Sequence, residues 1–217
     1  MHNELFSLSS PEIDHYFGLK VNEIEESLYH CAKSLRPNGD LSNLSLVLHQ
    51  GHQTWVGLRP ETLQTPYQEL VKVCEYLQPK ADELMIDLGA GYGRLGMILH
   101  YFYPGVFFKG YELVPERVDE GNRVFQKYNC DKAKLYTQDL TDQNFQLPKA
   151  NFYFIYDYGK VAHIRETLKQ IEAFAESGNF KVVARGKGTR SIIEHEHPWL
   201  SQINPVIHEA NFSIYSF

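Results

Sequence analysis

At 217 residues, 43% hydrophobic and 22% charged, the chain is long enough for one domain with a substantial core and a small appendage. A formal net charge of −6 gives no overall electrostatic pull toward nucleic acid or an anionic membrane surface. The three cysteines, Cys31, Cys74 and Cys130, lie far apart with no C-x-x-C pair, so neither a disulfide framework nor a cysteine-ligated zinc is suggested.

The opening residues, Met1 to Phe6, lack the basic-then-apolar pattern of a secretory signal, and no uncharged apolar run reaches membrane-spanning length. The expectation is a soluble, cytoplasmic protein with no membrane partner. Ser10-Pro11-Glu12 predicts a helix start, with Ser10 as cap and proline in the first turn. Ile24, Leu28, Cys31, Ala32 and Leu35 share one face of a second helix, which Pro37-Asn38-Gly39 should stop. The mixed segment from Leu41 to Leu58 carries His49, His52 and Trp55. Its two histidines stand at i, i+3 without a nearby acid and read as surface or packing residues. Residues 1–60 thus read as an N-terminal helical extension and 61–217 as the main domain. Thr65 should cap, and Pro66 begin, a helix burying Tyr67, Leu70, Val71, Cys74 and Leu77.

Leu84 to Leu88 suits a buried strand, and it runs through Asp87 into the turn Gly89-Ala90-Gly91-Tyr92-Gly93. An apolar-periodic segment (Leu95, Met97, Ile98, Leu99, Phe102) follows and stops at Pro104-Gly105. Strand, tight loop and helix in that order predict the nucleotide-approach corner of a doubly wound α/β sheet. Gly89 and Gly91 let the backbone take positive φ and come close to a ligand. Gly91 to Gly96 satisfies G-x-G-x-x-G, the dinucleotide fingerprint. Asp87 argues against that ligand, because a carboxylate at the strand end repels a pyrophosphate and suits a cationic or amine-bearing group.

Val106 to Glu112 reads as a second strand ending in an acid. Glu112 stands 25 residues after Asp87, where a carboxylate can accept two hydrogen bonds from the ribose diol of an adenosine cofactor. Lys134 to Leu140 is a third strand, closing at Asp139. Asn151 to Gly159 is a fourth, apolar as a central strand should be. In open α/β sheets chemistry sits at the strand C-termini near the switch in strand order, which makes Asp157 and Tyr158 the candidate catalytic pair. The ring faces of Tyr156 and Tyr158 suit a cationic group, and the alternative for both and for Asp157 is core and edge packing of an aromatic-rich strand. An amphipathic helix (Ile164, Leu168, Ile171, Phe174) leads to a fifth strand, Phe180 to Ala184. Arg185 to Arg190 reads as a basic, glycine-rich loop at a strand C-terminus, either facing substrate or forming a solvated turn. Glu194-His195-Glu196-His197 offers metal-ligating types, but adjacent residues cannot converge on one ion from a regular element, so no metal is assigned.

Asp87-Leu88-Gly89-Ala90-Gly91-Tyr92-Gly93 is a complete match to D-x-G-x-G-x-G, and in it the sequence resembles the class I S-adenosylmethionine-dependent methyltransferases. Gly110 to Pro115 is similar to the family's second motif. The resemblance implies a mostly parallel, seven-stranded Rossmann-like sheet closed by a hairpin of Val206-Ile207 with Phe212 to Tyr215. It implies S-adenosyl-L-methionine as cofactor, held by Asp87, Gly89, Ala90, Gly91, Gly93 and Glu112. In that family an acid at Asp139 accepts the adenine amino hydrogen, and the amide at Leu140 meets a ring nitrogen. The implied activity is methyl transfer, with Asp157 and Tyr158 positioning the acceptor.

Nucleobase-amino methyltransferases carry an N/D-P-P-Y/F pattern where this chain has Tyr156-Asp157-Tyr158-Gly159, which disfavours a nucleic acid acceptor. Thr65-Pro66, Gly93-Arg94 and Gly110 to Leu113 resemble the non-SET protein-lysine methyltransferases, and put a protein amino group slightly ahead of a small molecule. Two other readings stay open. One is a non-catalytic module that binds the same cofactor. The other is an NAD(P)-dependent oxidoreductase, against which stand Asp87 and the lack of a separate substrate domain.

Overall fold

After helices α1 (Ser10–Phe17), α2 (Val21–Ser34) and α3 (Tyr67–Leu77), the chain alternates strand and helix. The order is β1 (Leu84–Leu88), α4 (Arg94–Phe102), β2 (Phe107–Glu112), α5 (Pro115–Lys127), β3 (Ala133–Thr137), β4 (Phe152–Tyr156), α6 (Val161–Glu172), β5 (Lys181–Arg185), α7 (Lys187–Glu196), β6 (Ile207–His208) and β7 (Phe212–Ser216), single turns aside. The computed structural model describes residues 2–35, 48–49 and 52–217. The expected stop at Pro37-Asn38-Gly39 and the stretch 41–47 lie outside the described residues.

The seven strands form one sheet in the order β3-β2-β1-β4-β5-β7-β6. The first five are parallel and β7 runs antiparallel to both its neighbours. This is the expected doubly wound, mostly parallel Rossmann-like sheet. Strand order reverses between β1 and β4, which opens a crevice at their C-terminal ends.

Alternation along β1 explains the layers. Met85 enters one core with Val73, Leu95, Phe108 and Phe125, while Ile86 and Leu88 enter the other with Tyr153, Ile155, Ile164 and Leu168. With helices on both faces, the central strands are apolar throughout. The start of the chain belongs to the first of these cores, with Phe6, Ile13, Phe17, Leu19 and Val21 buried in it, while Leu28 and Ala32 of α2 pack in a small cluster with Val56 and Val114.

Three local expectations are corrected. The α1 cap is Ser9, whose amide and hydroxyl both reach Glu12 Oε2, at 2.9 and 2.5 Å. Ser10 instead accepts a hydrogen bond from the Tyr67 amide at 3.2 Å, tying α1 to α3. Pro66, not Thr65, is the cap of α3, because its carbonyl accepts the first helical bond, from the Leu70 amide at 3.1 Å, while the Thr65 carbonyl accepts from Arg94 Nη1 at 3.2 Å. Arg185 to Arg190 is no loop: after Gly186 at φ +83, Lys187 already begins α7.

Candidate functional site

The C-terminal ends of β1, β2, β3 and β4 line a cleft of about 260 Å³, roofed by residues 52–64. Its floor is the turn after β1. The Gly89 and Ala90 amides both donate to the Tyr111 carbonyl, at 2.9 and 3.0 Å, which ties the turn to β2. Gly89 sits at φ +82, and a Cβ there would strike the Tyr158 side chain. Gly91, at φ +54, would meet the Gln64 amide at 2.5 Å. Position 89 therefore needs glycine for close approach as well as for the turn, whereas at Gly91 the positive φ is the constraint, because the Gln64 amide ends a flexible side chain. Gly93, also left-handed, leads into α4.

Asp87 is 6% exposed, and among the described residues no donor reaches its carboxylate. Burial, reinforced by the Glu112 charge, pushes its pKa up to about 8. It borders a small space walled by Gln64, Thr65, Gly89 and Tyr156. Glu112 lies in the cleft at the tip of β2. Its Oε2 accepts from the Gly91 amide and its Oε1 from the Val114 amide, each at 3.0 Å. Two neighbouring carboxylates and the glycine turn thus stand together at the C-terminal ends of β1 and β2.

Asp139 and Leu140 follow β3 rather than lying in it, and both line the cleft. Asp139 Oδ1 accepts from the Thr141 amide (2.8 Å) and hydroxyl (2.7 Å), while Oδ2 pairs with His52 Nε2 at 3.3 Å. Burial works to raise its pKa, but the Thr141 hydrogen bonds and the nearby His52 and His163 hold it below the ordinary value. The acid that the i, i+3 histidines lacked in sequence is therefore present in space.

At the exit of β4, Asp157 takes φ +26 and turns its carboxylate onto the start of α7. Oδ1 accepts from the Thr189 amide (2.7 Å) and hydroxyl (2.8 Å), and Oδ2 from the Gly188 amide (3.2 Å). These are helix-start donors with no partner inside the helix, so Asp157 caps α7 from another strand. The Tyr158 hydroxyl lies 2.5 Å from Thr167 Oγ1 and donates to the His163 carbonyl at 3.3 Å, and burial lifts its pKa to about 12. Arg185 pairs with Glu69 and stacks 4.0 Å from the centre of the Tyr156 ring, and Arg190 Nη1 donates to the Ala210 carbonyl at 3.1 Å. The basic residues expected to face substrate are thus largely engaged by the fold. The Glu194-to-His197 run disperses as well: Glu196 pairs with Arg165, Glu194 accepts from Tyr215, and His195 Nδ1 meets the Ser191 carbonyl.

Sequence reasoning missed the roof. Trp55 Nε1 donates to the Asp157 carbonyl at 3.2 Å, the Tyr156 hydroxyl donates to the Thr62 carbonyl at 3.0 Å, and Gln64 packs on Gly91. It also missed His163, which lines the cleft and whose pKa is lowered by burial and then by His52 and Lys160. No motif marks these residues, since they meet the cleft only through the folding of segments far apart in sequence.

No family model matches the chain, and no curated protein matches it in sequence. Solved structures do. An RNA methyltransferase from Salinibacter ruber, crystallised with S-adenosyl-L-homocysteine, is 17% identical with a TM-score of 0.52, over 71% of this chain and 92% of that one. Precorrin-6y C5,15-methyltransferase from Geobacter metallireducens is 16% identical with a TM-score of 0.54, over 74% and 92%. The C-terminal domain of the Rhodobacter capsulatus precorrin-6Y C5,15-methyltransferase is 15% identical with a TM-score of 0.50, over 73% and 95%. The chain has the fold of the class I S-adenosylmethionine-dependent methyltransferases.

Proposed function

We propose that the protein binds S-adenosyl-L-methionine and transfers its methyl group to an acceptor at the β4 edge of the cleft. The observation that carries this reading is Asp87: a nearly buried carboxylate, bonded to no donor among the described residues, beside a left-handed glycine turn. Such a group is costly without a positive partner and suits a ligand bearing an ammonium and a sulfonium. A pyrophosphate would add negative charge beside Asp87 and Glu112, which favours this cofactor over NAD(P).

In this reading Glu112 meets the ribose diol through the lone pairs that Gly91 and Val114 leave open. Gly89, Ala90, Gly91 and Gly93 cradle the cofactor, and Asp139 with the Leu140 amide meets the adenine. The group transferred is an electrophilic methyl, so the protein's task is alignment of nucleophile, methyl and sulfur in a cleft that excludes water. Asp157 and Tyr158 serve this by holding the acceptor edge rigid: one caps α7 and the other packs beneath Gly89. The acceptor enters between Trp55, Leu58, Tyr156 and His163. A protein amino group is the acceptor we favour over a small molecule, with an aromatic face at Trp55 suited to it. The similar folds serve acceptors as different as RNA and a precorrin, so the acceptor rests on these residues and not on the fold.

Calorimetry with S-adenosylmethionine, S-adenosylhomocysteine, NADH and NADPH tests the cofactor. Binding of the first two alone is expected, and preferential nicotinamide binding would overturn the reading. Methyl-labelled cofactor added to cell extract then shows whether label enters protein, nucleic acid or small molecules. Cofactor binding without any transfer would leave the non-catalytic module.

A further inference from the structure

Behind Glu112 lies a chain of buried charges that leaves the sheet and ends on the N-terminal extension. Arg117, on α5, brings Nη1 to 3.7 Å from Glu112 Oε1, too long for a hydrogen bond. Its fork is spent elsewhere. Nε donates to Glu25 Oε1 at 2.8 Å and Nη2 to Glu25 Oε2 at 3.0 Å, a bidentate pair with an acid of α2. Tyr92, from the glycine turn, donates its hydroxyl to the same Glu25 Oε1 at 2.8 Å. The side chains of Arg117, Glu25 and Glu112 are 3%, 6% and 8% exposed, so all three charges are largely withdrawn from solvent.

We propose that Glu25 is a positioning residue for the cofactor. By holding the Arg117 fork it keeps the cleft-facing lone pairs of Glu112 free for the ribose hydroxyls, while the guanidinium stays close enough to offset the Glu112 charge. The inference rests on the reading of Glu112 as the ribose acid. A carboxylate has about four acceptor sites, and the Gly91 and Val114 amides occupy one on each oxygen. Without Glu25, a buried guanidinium is left short of a partner, and turning the fork onto Glu112 is its nearest remedy. That turn fills the sites the ribose needs. Helix α2 thereby completes the cofactor site from 87 residues upstream of Glu112.

The test compares S-adenosylhomocysteine with its 2′-deoxyribose analogue by calorimetry. The wild type should prefer the ribose form by about tenfold, the loss expected for a hydrogen bond to a charged group. Glu25→Gln should lose most of that preference, weakening the ribose ligand while the deoxy analogue changes little. The double variant Glu25→Gln/Arg117→Met, with no fork to turn, should regain it. A purely structural Glu25 would weaken both ligands alike and leave the preference intact, and that result overturns the proposal. If Glu25→Gln does not fold, Glu25→Asp makes the same comparison, because it keeps the charge but withdraws it by one methylene. Reduced preference there supports the proposal and unchanged preference overturns it. A wild type that binds neither ligand overturns the site reading together with the proposal, whereas a wild type that binds with preference and a variant that keeps it overturns the proposal alone.

Discussion

At the ends of β1 and β2 the acids keep acceptor capacity unspent, Glu112 facing the cleft and Asp87 a small adjoining space, whereas at the exits of β4 and β5 the fold consumes the comparable groups. Asp87 has no donor among the described residues, and Glu112 uses one lone pair on each oxygen. Across the cleft, Asp157 accepts three hydrogen bonds, the Tyr158 and Tyr156 hydroxyls are both engaged, and Arg185 is paired and stacked. The first half is electrostatically incomplete and calls for a cationic ligand. The second half is complete and offers shape. That division fits a reaction whose barrier is lowered by alignment more than by proton transfer.

Removing the unmet charge breaks this comparison most directly. Asp87→Asn should weaken S-adenosylhomocysteine and S-adenosylmethionine binding by about 1.5–3 kcal/mol, the range for a contact with a charged group. The same variant should be more stable than the wild type when both are unliganded at pH 8, because it has no buried acid to ionise. Calorimetry and thermal unfolding read the two effects separately. Unchanged cofactor affinity would remove Asp87 from the site.

The titration of Asp87 sharpens the point. Its folded pKa, about 8, lies above the ordinary 3.8, so the folded protein holds a proton that the unfolded chain has released. Unliganded stability from this group should therefore fall as pH rises from about 4 to 8, the slope being set by the difference in bound protons. A cationic ligand favours the ionised form, so affinity should climb with pH up to about 8, by as much as about tenfold per unit, with a proton released on binding. Titrations in buffers of different ionisation enthalpy measure that proton. Glu112→Gln, which removes the neighbouring charge, should move the whole dependence to lower pH.

The same contrast separates what the sequence makes legible from what it does not. The β1 turn is readable because each of its requirements is local: buried residues, then an acid, then glycines where φ turns positive. The mostly parallel seven-stranded sheet is legible only through the family resemblance that this turn carries, and its strand order comes from the structure. Asp157 was legible as a position but not as a contact. Its partners, Gly188 and Thr189, lie more than thirty residues away in a segment whose glycines and basic residues mimic a loop. His52 likewise reads as an isolated histidine until folding brings Asp139 to it. Glu25 and Asp14 are the extreme case. Both are helix-face acids of ordinary solvent type, yet they are buried against Arg117 and Arg94. No periodicity identifies a buried ion pair, because the partner's position supplies the reason for the burial.

On the complete side of the cleft the expected effects are smaller. Asp157→Asn keeps one acceptor for Thr189 but turns an amide toward the Gly188 N–H. Loss of that part of the cap should cost about 1 kcal/mol of stability. Cofactor affinity should be unchanged, and turnover should fall severalfold as the β4 edge loosens. Denaturant unfolding, calorimetry and steady-state rates together check it. A variant with normal stability and no turnover would show the carboxylate acting on the acceptor directly.

Tyr158→Phe should have the least effect. The hydroxyl lies against Thr167 Oγ1 and the His163 carbonyl, and Thr167 itself is buried, so removing the hydroxyl leaves a threonine short of a partner. That loss taken alone would cost about 1 kcal/mol. Thr167, however, stands four residues after His163 on α6, and a helical threonine can turn its hydroxyl to the carbonyl one turn back. That bond offsets part of the loss, so the net should be about 0.5 kcal/mol, read as a small drop in unfolding midpoint. The ring is another matter. Tyr158 Cβ and the first ring atom, Cγ, lie where any side chain at position 89 would have to go, so Phe keeps the whole contact with the turn and Ala gives up the ring part of it. Cofactor affinity should therefore match the wild type in Tyr158→Phe and fall in Tyr158→Ala. If Tyr158→Phe instead loses turnover out of proportion to its stability, the hydroxyl leaves Thr167 during the reaction to meet the acceptor. The β4 edge would then be chemically active, and the contrast between the two halves would fail at that residue.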